Sequence, residues 1–170
     1  MRTYSHTLLT LAAVRRIEPL APAPAVLGSV LPDVPVAAGG AWLWARRGGF
    51  TRDQLQQEAC AKQSFAIPDT ALHSALPVAA TLVLYALPNV RKLDRRRFLP
   101  AFLLGWAGHV LLDTLTHGKD ARPLFWPLSG RRFSSPVSYW ERGRGARLFA
   151  LVEPAVALFV AARILRARAR

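Results

Sequence analysis

The run from Phe98 to Leu115 constrains the fold most, because it is strongly apolar yet carries ionisable side chains near its end. As a helix it is long enough to cross the ~30 Å hydrocarbon core of a bilayer. His109 and Asp113 stand four residues apart, so they share one helical face, and His117 follows at the same interval. Ionisable groups inside such a segment are costly and indicate a functional site. An imidazole and a carboxylate in this register are suited to bind a metal ion together.

Two other apolar runs are predicted to span a membrane. The first extends from Asp69 to Leu87 and should be kinked by Pro77, and the second extends from Leu148 to Leu165 before an arginine-rich tail. Residues 118–146 between the last two spans are rich in Gly and Pro and predict an ordered loop, with Trp126 and Trp140 as anchors at the membrane interface.

The N-terminal part of the chain predicts shorter helices. Residues 4–17 and 24–31 form a helical hairpin, interrupted around Pro19 and Pro22 and ended by the prolines of residues 31–35. Residues 36–45 are apolar but too short to span, and residues 51–63 are polar and lie outside the bilayer. The predicted fold is all-α: a small polytopic membrane helical bundle with about three full spans, a short N-terminal hairpin and interfacial helices, in one integral-membrane domain of residues 1–170.

The net charge of +13 admits a nucleic-acid-binding protein, which would carry its basic residues on one shared face. Here the basic residues form separate clusters between apolar runs. Clusters in that position are typical of contacts with lipid headgroups at a membrane interface. The pattern therefore favours a membrane protein with lipid as its partner over a nucleic-acid binder.

Chain topology predicts which ionisable groups meet. The spans at 69–87 and 98–115 are joined by a short loop and so run antiparallel, which brings His73 to the level of His109 and Asp113. His6 and Asp33 lie at the two ends of the N-terminal hairpin, and Glu153 lies in the last span. The topology predicts that all three side chains lie at this same level. Each group also has a structural interpretation. A buried histidine is often hydrogen-bonded, His117 suits a helix C-terminus, and Asp33 suits a turn.

Several motifs together resemble the membrane-bound metal-dependent hydrolases, the YdjM-like group of LexA-binding inner-membrane proteins. The motifs are Leu31-Pro32-Asp33, Leu72-His73-Ser74, the block Gly108-His109-Val110-Leu111-Leu112-Asp113-Thr114, and Trp126-Pro127, with His6 on the first helix. The resemblance implies metal-dependent hydrolase activity and a metal site formed by His6, Asp33, His73, His109 and Asp113. His117, Glu153 and Asp69 are possible additional site residues.

Two departures from the family pattern leave alternatives open. Pro35 stands where members often have a second acid, and a His-Arg pair that often precedes the Leu-His-Ser motif is missing, although Asp69 lies in that region. A single metal ion or an inactive site are the alternatives to a complete multi-metal site. Histidine and carboxylate ligands suit Zn²⁺ first and Mn²⁺ second.

The predicted activity is hydrolysis of a phosphoester or lipid-like substrate by a metal-activated water at one membrane surface. Asp33 is the candidate general base, and Arg122, Arg131 and Arg132 are candidate phosphate ligands. The rival prediction is a non-catalytic integral membrane protein, whose buried His and Asp groups are structural or which binds a regulatory partner. The compact basic loop at 91–97 favours a cytoplasmic position for that end and an outward-facing site in a bacterial or archaeal cell membrane.

Overall fold

The structure is a computed structural model that describes residues 1–17 and 20–168, with side chains in the last helix described as far as Arg166. Within these residues it is helical, and its one β-pairing is an isolated bridge between Pro123 and Arg132. Pro19 and Arg170, which belong to the predicted break and tail, lie outside the described residues. The α-helices, in chain order, are α1 (Thr3–Val14), α2 (Pro22–Val30), α3 (Val34–Arg47), α4 (Arg52–Gln54), α5 (Gln63–Leu72), α6 (Ala75–Ala86), α7 (Pro88–Leu93), α8 (Phe98–Thr116) and α9 (Ala146–Arg168).

Three helical stretches of the described chain are long and apolar enough to cross a membrane: Pro22–Arg47, Phe98–Thr116 and Ala146–Arg166. The last two coincide with the helices predicted at residues 98–115 and 148–165. The fourth candidate is the pair α5 and α6, which meet at an angle of 56°. These apolar helices indicate a membrane protein.

The α-helix α2 ends at Val30, close to the predicted end at residue 31, but the prediction that helical structure stops there is wrong. A 3₁₀ turn at Leu31–Asp33 joins α2 to α3, so that helical structure continues through Pro32 and Pro35 as far as Arg47. Both prolines stand in the first turn of a helical segment, where the missing N–H has no intrahelical acceptor in any case. The apolar residues 36–45, predicted to be a short interfacial piece, are therefore part of a candidate span.

The predicted kink at Pro77 is also misplaced. The bend lies at His73 and Ser74, where α5 ends and the Ser74 hydroxyl caps α6 by accepting from the Leu76 amide. Pro77 falls in the first turn of α6, where a proline does not disturb the helix. The Ser74 hydroxyl donates to the carbonyl oxygens of Leu124 and Trp126, so the bend is tied to the loop after α8.

Close backbone contact fixes α2 against α8. A Cβ atom on Gly28 would lie 2.0 Å from the Phe102 carbonyl oxygen, and one on Gly105 would lie 1.9 Å from that of Ala25. Ala25 packs with Ala101 and Val14 near the start of α8, whereas Ser29 contacts His109 near its end, so α2 and α8 run parallel. Glycine alone permits this approach, which sets the height of α2 and of the turn that follows it.

A candidate metal centre

All four histidines of the chain direct Nε2 at one carboxylate, that of Asp113. His6 Nε2 lies 2.9 Å from Asp113 Oδ1. The other three imidazoles face Oδ2, at 3.2 Å for His117, 3.4 Å for His109 and 3.5 Å for His73. All four rings are buried, and those of His6 and His109 stack with their centroids 3.8 Å apart. The helix α8 supplies the centre of this cluster, while α1 and the end of α5 bring the other rings to it.

Hydrogen bonds on the far side of the rings determine which nitrogen faces Asp113. Nδ1 of His109 donates to the Ser29 carbonyl oxygen at 2.7 Å, and Nδ1 of His73 donates to that of Asp69 at 2.8 Å. His117 Nδ1 donates to the Asp120 carboxylate at 3.0 Å. A carbonyl oxygen can only accept, so these bonds place the proton of a neutral ring on Nδ1 and leave a lone pair on Nε2. This is the arrangement in which metal-binding histidines are held.

Three of the four Nε2 atoms have no hydrogen-bond partner within the described chain. These are Nε2 of His6, His109 and His117, all of which are buried. The His6–Asp113 contact, at 2.9 Å, is the shortest of the four contacts with the carboxylate. Lone pairs facing a carboxylate repel it unless protons or a cation lie between them. Two ligands bound at ~2.0–2.1 Å in tetrahedral geometry lie ~3.3 Å apart, close to the spacing observed here. The buried His and Asp groups could therefore hold a metal ion.

Asp33 extends the cluster toward the surface. Its Oδ1 lies 3.7 Å from His109 Nε2, and its Oδ2 accepts a hydrogen bond from the Thr3 hydroxyl. Two sets of potential ligand atoms have mutual separations within 4.8 Å, and they share His109: the first consists of His6, His109 and Asp113, and the second of Asp33, His73 and His109. The Asp33 side chain is 26% exposed, so the second set is the one that solvent or a substrate can reach.

A second layer of charged groups supports the rings. Asp69 contacts His73 from behind and accepts from Nε of Arg122 at 2.9 Å, so its carboxylate faces away from the centre of the cluster. Asp120 accepts from His117 and from the Trp140 indole. Burial alone would raise the pKa of Asp120, but the hydrogen bonds from His117 and Trp140 outweigh it and lower that pKa to about 2. Asp120 is therefore a permanent anion behind the His117 ring.

Other predicted site residues have different surroundings. Glu153 is buried but accepts from the Arg2 backbone amide at 2.8 Å, which ties α9 to the start of α1. The Arg122 guanidinium is engaged by Asp69, so it binds phosphate only if that ion pair opens. Arg131 and Arg132 are exposed on the loop after α8.

A cation of the protein also reaches the cluster. The Met1 ammonium lies 2.6 Å from Asp113 Oδ1 and donates to Thr116 as well. It offsets part of the negative charge beside His6. The Oδ2 side of Asp113, where three imidazoles converge, has no such contact with a cationic side chain or terminus in the described residues.

The sequence did not reveal three supporting groups. Asp120 follows His117 by three residues, and that spacing could have identified it. The Ser29 carbonyl carries no sequence signal, because a backbone oxygen is positioned by the path of the chain alone. The indole of Trp140, predicted to anchor the chain at the membrane interface, instead donates to Asp120 and stacks on Tyr139.

No protein-family model, curated protein or solved structure matches the chain. The chemistry of the His and Asp cluster is therefore the basis for assigning a function to the protein.

Proposed function

We propose that the protein is a membrane-bound metal-dependent hydrolase, as its resemblance to the YdjM-like hydrolases implies, and that it acts on a phosphoester or lipid-like substrate. The proposal is supported by the convergence of four buried imidazoles on Asp113, three of which have an Nε2 without a hydrogen-bond partner in the described chain: those of His6, His109 and His117. Nitrogen and carboxylate ligands suit Zn²⁺ first and Mn²⁺ second. The two ligand sets share His109, whose Nε2 binds one ion, so they offer two alternative positions for a single ion.

The residues of the His and Asp cluster have different roles in the proposed reaction. His6, His109 and Asp113 would hold the ion, with His73 and His117 as further candidate ligands, and a bound ion would supply a water whose pKa is lowered to ~7. Beside Asp113, His117 and His73 lies a cavity of about 20 Å³, which is room for about one water molecule. Asp33, which is partly exposed, is the general base or an additional ligand.

The membrane setting is part of the proposal. The α1–α2 hairpin packs inside the bundle, and α8, α9 and the bent pair α5–α6 span a bacterial or archaeal cell membrane. The end that carries Arg15, Arg16 and the loop at 91–97 lies in the cytoplasm, and the cluster faces outward. A substrate at the outer surface then reaches Asp33 without crossing the bilayer.

Reconstituted hydrolysis tests the activity. Detergent-purified protein is stripped with a chelator, reloaded with Zn²⁺ or Mn²⁺, and assayed with bis(p-nitrophenyl) phosphate and with a phospholipid. We expect hydrolysis that requires the metal and falls by at least about 10²-fold in Asp113→Asn, but is unchanged in Asp53→Asn, an exposed acid on α4. Metal-loaded wild type that hydrolyses neither substrate contradicts the proposal.

The rival is a non-catalytic membrane protein in which protonated histidines neutralise Asp113. The contact between the Met1 ammonium and Asp113 favours it, because a protein cation already stands at that carboxylate. It predicts that a chelator leaves the melting temperature unchanged, whereas a resident metal stabilises the fold by mass action. Thermal unfolding with and without a chelator separates the two.

A further inference from the structure

A seam between α1 and α9 carries three arginines at one end. Two cavities follow one another along it, of about 310 Å³ and 130 Å³, and Val160 lines both. The larger is lined by three arginines and by apolar side chains: Ala12, Arg15, Arg16, Phe159, Arg163 and Ile164. Leu8, Ala12 and Arg15 recur at helical spacing, so one face of α1 forms a continuous wall of this α1–α9 seam.

The arginines lie at the end of the bundle opposite Asp113. Val14, the neighbour of Arg15, packs against Ala101 near the start of α8, whereas Asp113 lies near the end of that helix. Arg163 lies near the end of the candidate span Ala146–Arg166. The larger cavity is therefore at a membrane interface, and the seam leads from it toward the middle of the bilayer.

We propose that the α1–α9 seam binds one anionic phospholipid, with its phosphate at Arg15, Arg16 and Arg163 and one acyl chain along the seam. This site is separate from the His and Asp cluster and does not depend on hydrolase activity. The orientation proposed above places the arginines on the cytoplasmic side, where the membrane leaflet carries anionic lipids.

The charge of the larger cavity supports an anionic headgroup. Its lining residues in the described chain include three guanidinium groups and no carboxylate. None of the three pairs with an acidic side chain of the described residues, whereas Arg47 pairs with Glu58 and Arg122 with Asp69. Glu18 lies outside the described residues. Guanidinium groups bind phosphate oxygens through parallel N–H groups, and basic pockets between membrane helices bind phospholipid headgroups.

Arg15 is positioned for this role by the protein itself. Its Nη1 donates to the carbonyl oxygen of Ile164 at 3.2 Å, which holds the guanidinium between the two helices. Its other N–H groups make no hydrogen bond within the described chain, so they are available to a phosphate. Arg16 and Arg163 are exposed on either side of it, one on each helix. A phosphate between the helices can therefore be contacted by all three arginines.

The inner part of the seam suits an acyl chain. From Arg163 to Val152, α9 rises ~16 Å at ~1.5 Å per residue. This is about the depth of one leaflet, half of a ~30 Å hydrocarbon core, measured from the end of the span. The smaller cavity is lined mainly by apolar side chains, among them Leu8, Leu9, Val152 and Val156. Glu153 also lines it, but its carboxylate accepts from the Arg2 amide.

Lipid binding by charge-matched variants tests the proposal. The test variant is Arg16→Gln with Arg163→Gln, and the control is Arg91→Gln with Arg96→Gln, two exposed arginines at the same end of the bundle. None of the four side chains makes a hydrogen bond in the described chain, so both variants should fold. Native mass spectrometry of the full chain in detergent measures the affinity for dioleoyl phosphatidylglycerol, for dioleoyl phosphatidylcholine and for glycerol 3-phosphate.

A second pair of variants tests the path of the acyl chain. Val156 and Leu158 are both exposed on α9, but only Val156 lines the smaller cavity. Val156→Trp should fill that cavity and weaken the binding of both lipids, whereas Leu158→Trp should change neither. Equal lipid affinity in these two variants would overturn the assignment of the chain to the seam.

We expect wild type to bind phosphatidylglycerol about tenfold or more tightly than phosphatidylcholine. The Arg16 and Arg163 variant should lose this preference, and the Arg91 and Arg96 variant should retain it. Wild type without the preference, or an equal loss in both variants, would overturn the proposal, because the attraction would then come from the net charge of the surface. Glycerol 3-phosphate that binds as tightly as phosphatidylglycerol would also overturn it, because the site would then recognise free phosphate.

Discussion

The two halves of α8 differ in how they use the same helical face. In the first half, Ala101 and Gly105 lie against α2 with no side chain between the backbones. In the second half, His109 and Asp113 face polar groups from α1, α5 and the loop after α8. The first half gains stability from close packing, whereas the second contains buried lone pairs without partners in the described residues, which cost stability.

This difference indicates that the first half of α8 serves packing and the second half carries the candidate metal site. The contact at Gly28 and Gly105 fixes the height of α2, and with it the Ser29 carbonyl that orients His109 and the turn that carries Asp33. The close packing of α2 on the first half of α8 therefore positions the potential metal ligands around the second half. The predictions that follow disturb first the packed half and then the polar half.

The largest expected effect comes from Gly105→Ala. The added Cβ would lie 1.9 Å from the Ala25 carbonyl oxygen, so α2 must move away from α8. We expect a loss of about 3 kcal/mol or more in the free energy of unfolding, together with weaker metal binding. The control is Gly108→Ala on the same helix, where a Cβ meets nothing within 4 Å. Thermal or denaturant unfolding in detergent measures both, and equal stability of the two variants would refute the packing argument.

The second largest loss of stability is expected from breaking the ion pair between Arg122 and Asp69, which lies behind His73. Arg122→Met leaves the Asp69 carboxylate buried without its guanidinium partner. Because both groups retain some contact with solvent, we expect a loss of about 2 kcal/mol, below the ~3–5 kcal/mol of a fully buried pair. Arg131→Met, at an exposed arginine of the same loop, should change stability by less than ~0.5 kcal/mol. The same unfolding experiment would show no difference between these variants if the pair were only a surface contact.

A similar effect, on metal affinity, is expected for Asp120→Asn. The substitution removes the anion that orients His117 and holds its Nδ1 proton. Loss of such outer-layer partners typically weakens metal binding by ~10–100-fold. Competition with a chromophoric chelator measures the affinity, and Asp53→Asn is the control. Unchanged affinity in Asp120→Asn would remove His117 from the set of ligands.

The smallest effect is the acid dependence of stability that Asp120 contributes. Its folded pKa of about 2 lies below the ordinary ~3.9, so its stabilisation is complete above that ordinary value and is lost as the pH falls to about 2. Asp120 is 28% exposed, and we expect a contribution of about 1 kcal/mol. In metal-free protein, the difference in unfolding free energy between wild type and Asp120→Asn should shrink between pH 4 and 2. A difference that does not vary with pH in that range would contradict the assignment.

Much of the cluster was predictable because helical spacing and antiparallel connections are sequence properties. They place His6, Asp33, His73, His109 and Asp113 at one end of the bundle, where the structure brings them together. The position of His117 was harder to predict. It follows the last residue of α8, and its ring is directed by Asp120 and by the loop that returns through Ser135, whose amide donates to the His117 carbonyl oxygen.

The wrong predictions came from applying local rules for proline at positions where the surrounding structure determines the path of the helix. Pro77 stands in the first turn of α6 and does not kink it. The α-helix α2 ends before Pro32 as predicted, but a 3₁₀ turn and α3, with Pro32 and Pro35 in their first turns, continue the helical stretch. The bend between α5 and α6 instead depends on Ser74, which caps α6 and binds the distant carbonyl oxygens of Leu124 and Trp126. Contacts this far apart in the chain leave no periodic signal in the sequence.

Whether the imidazoles around Asp113 bind a metal ion is measured by elemental analysis and X-ray absorption of protein purified with Zn²⁺ or Mn²⁺ supplied. We expect at least one ion per chain, bound by nitrogen and oxygen atoms, at ~2.0–2.1 Å if the ion is Zn²⁺. The absorption spectrum should show imidazole scattering, and the ion should be lost in the double variant His109→Ala with Asp113→Ala. Folded wild type that binds no metal, or that binds metal without imidazole ligands, would show that the cluster around Asp113 is not a metal site.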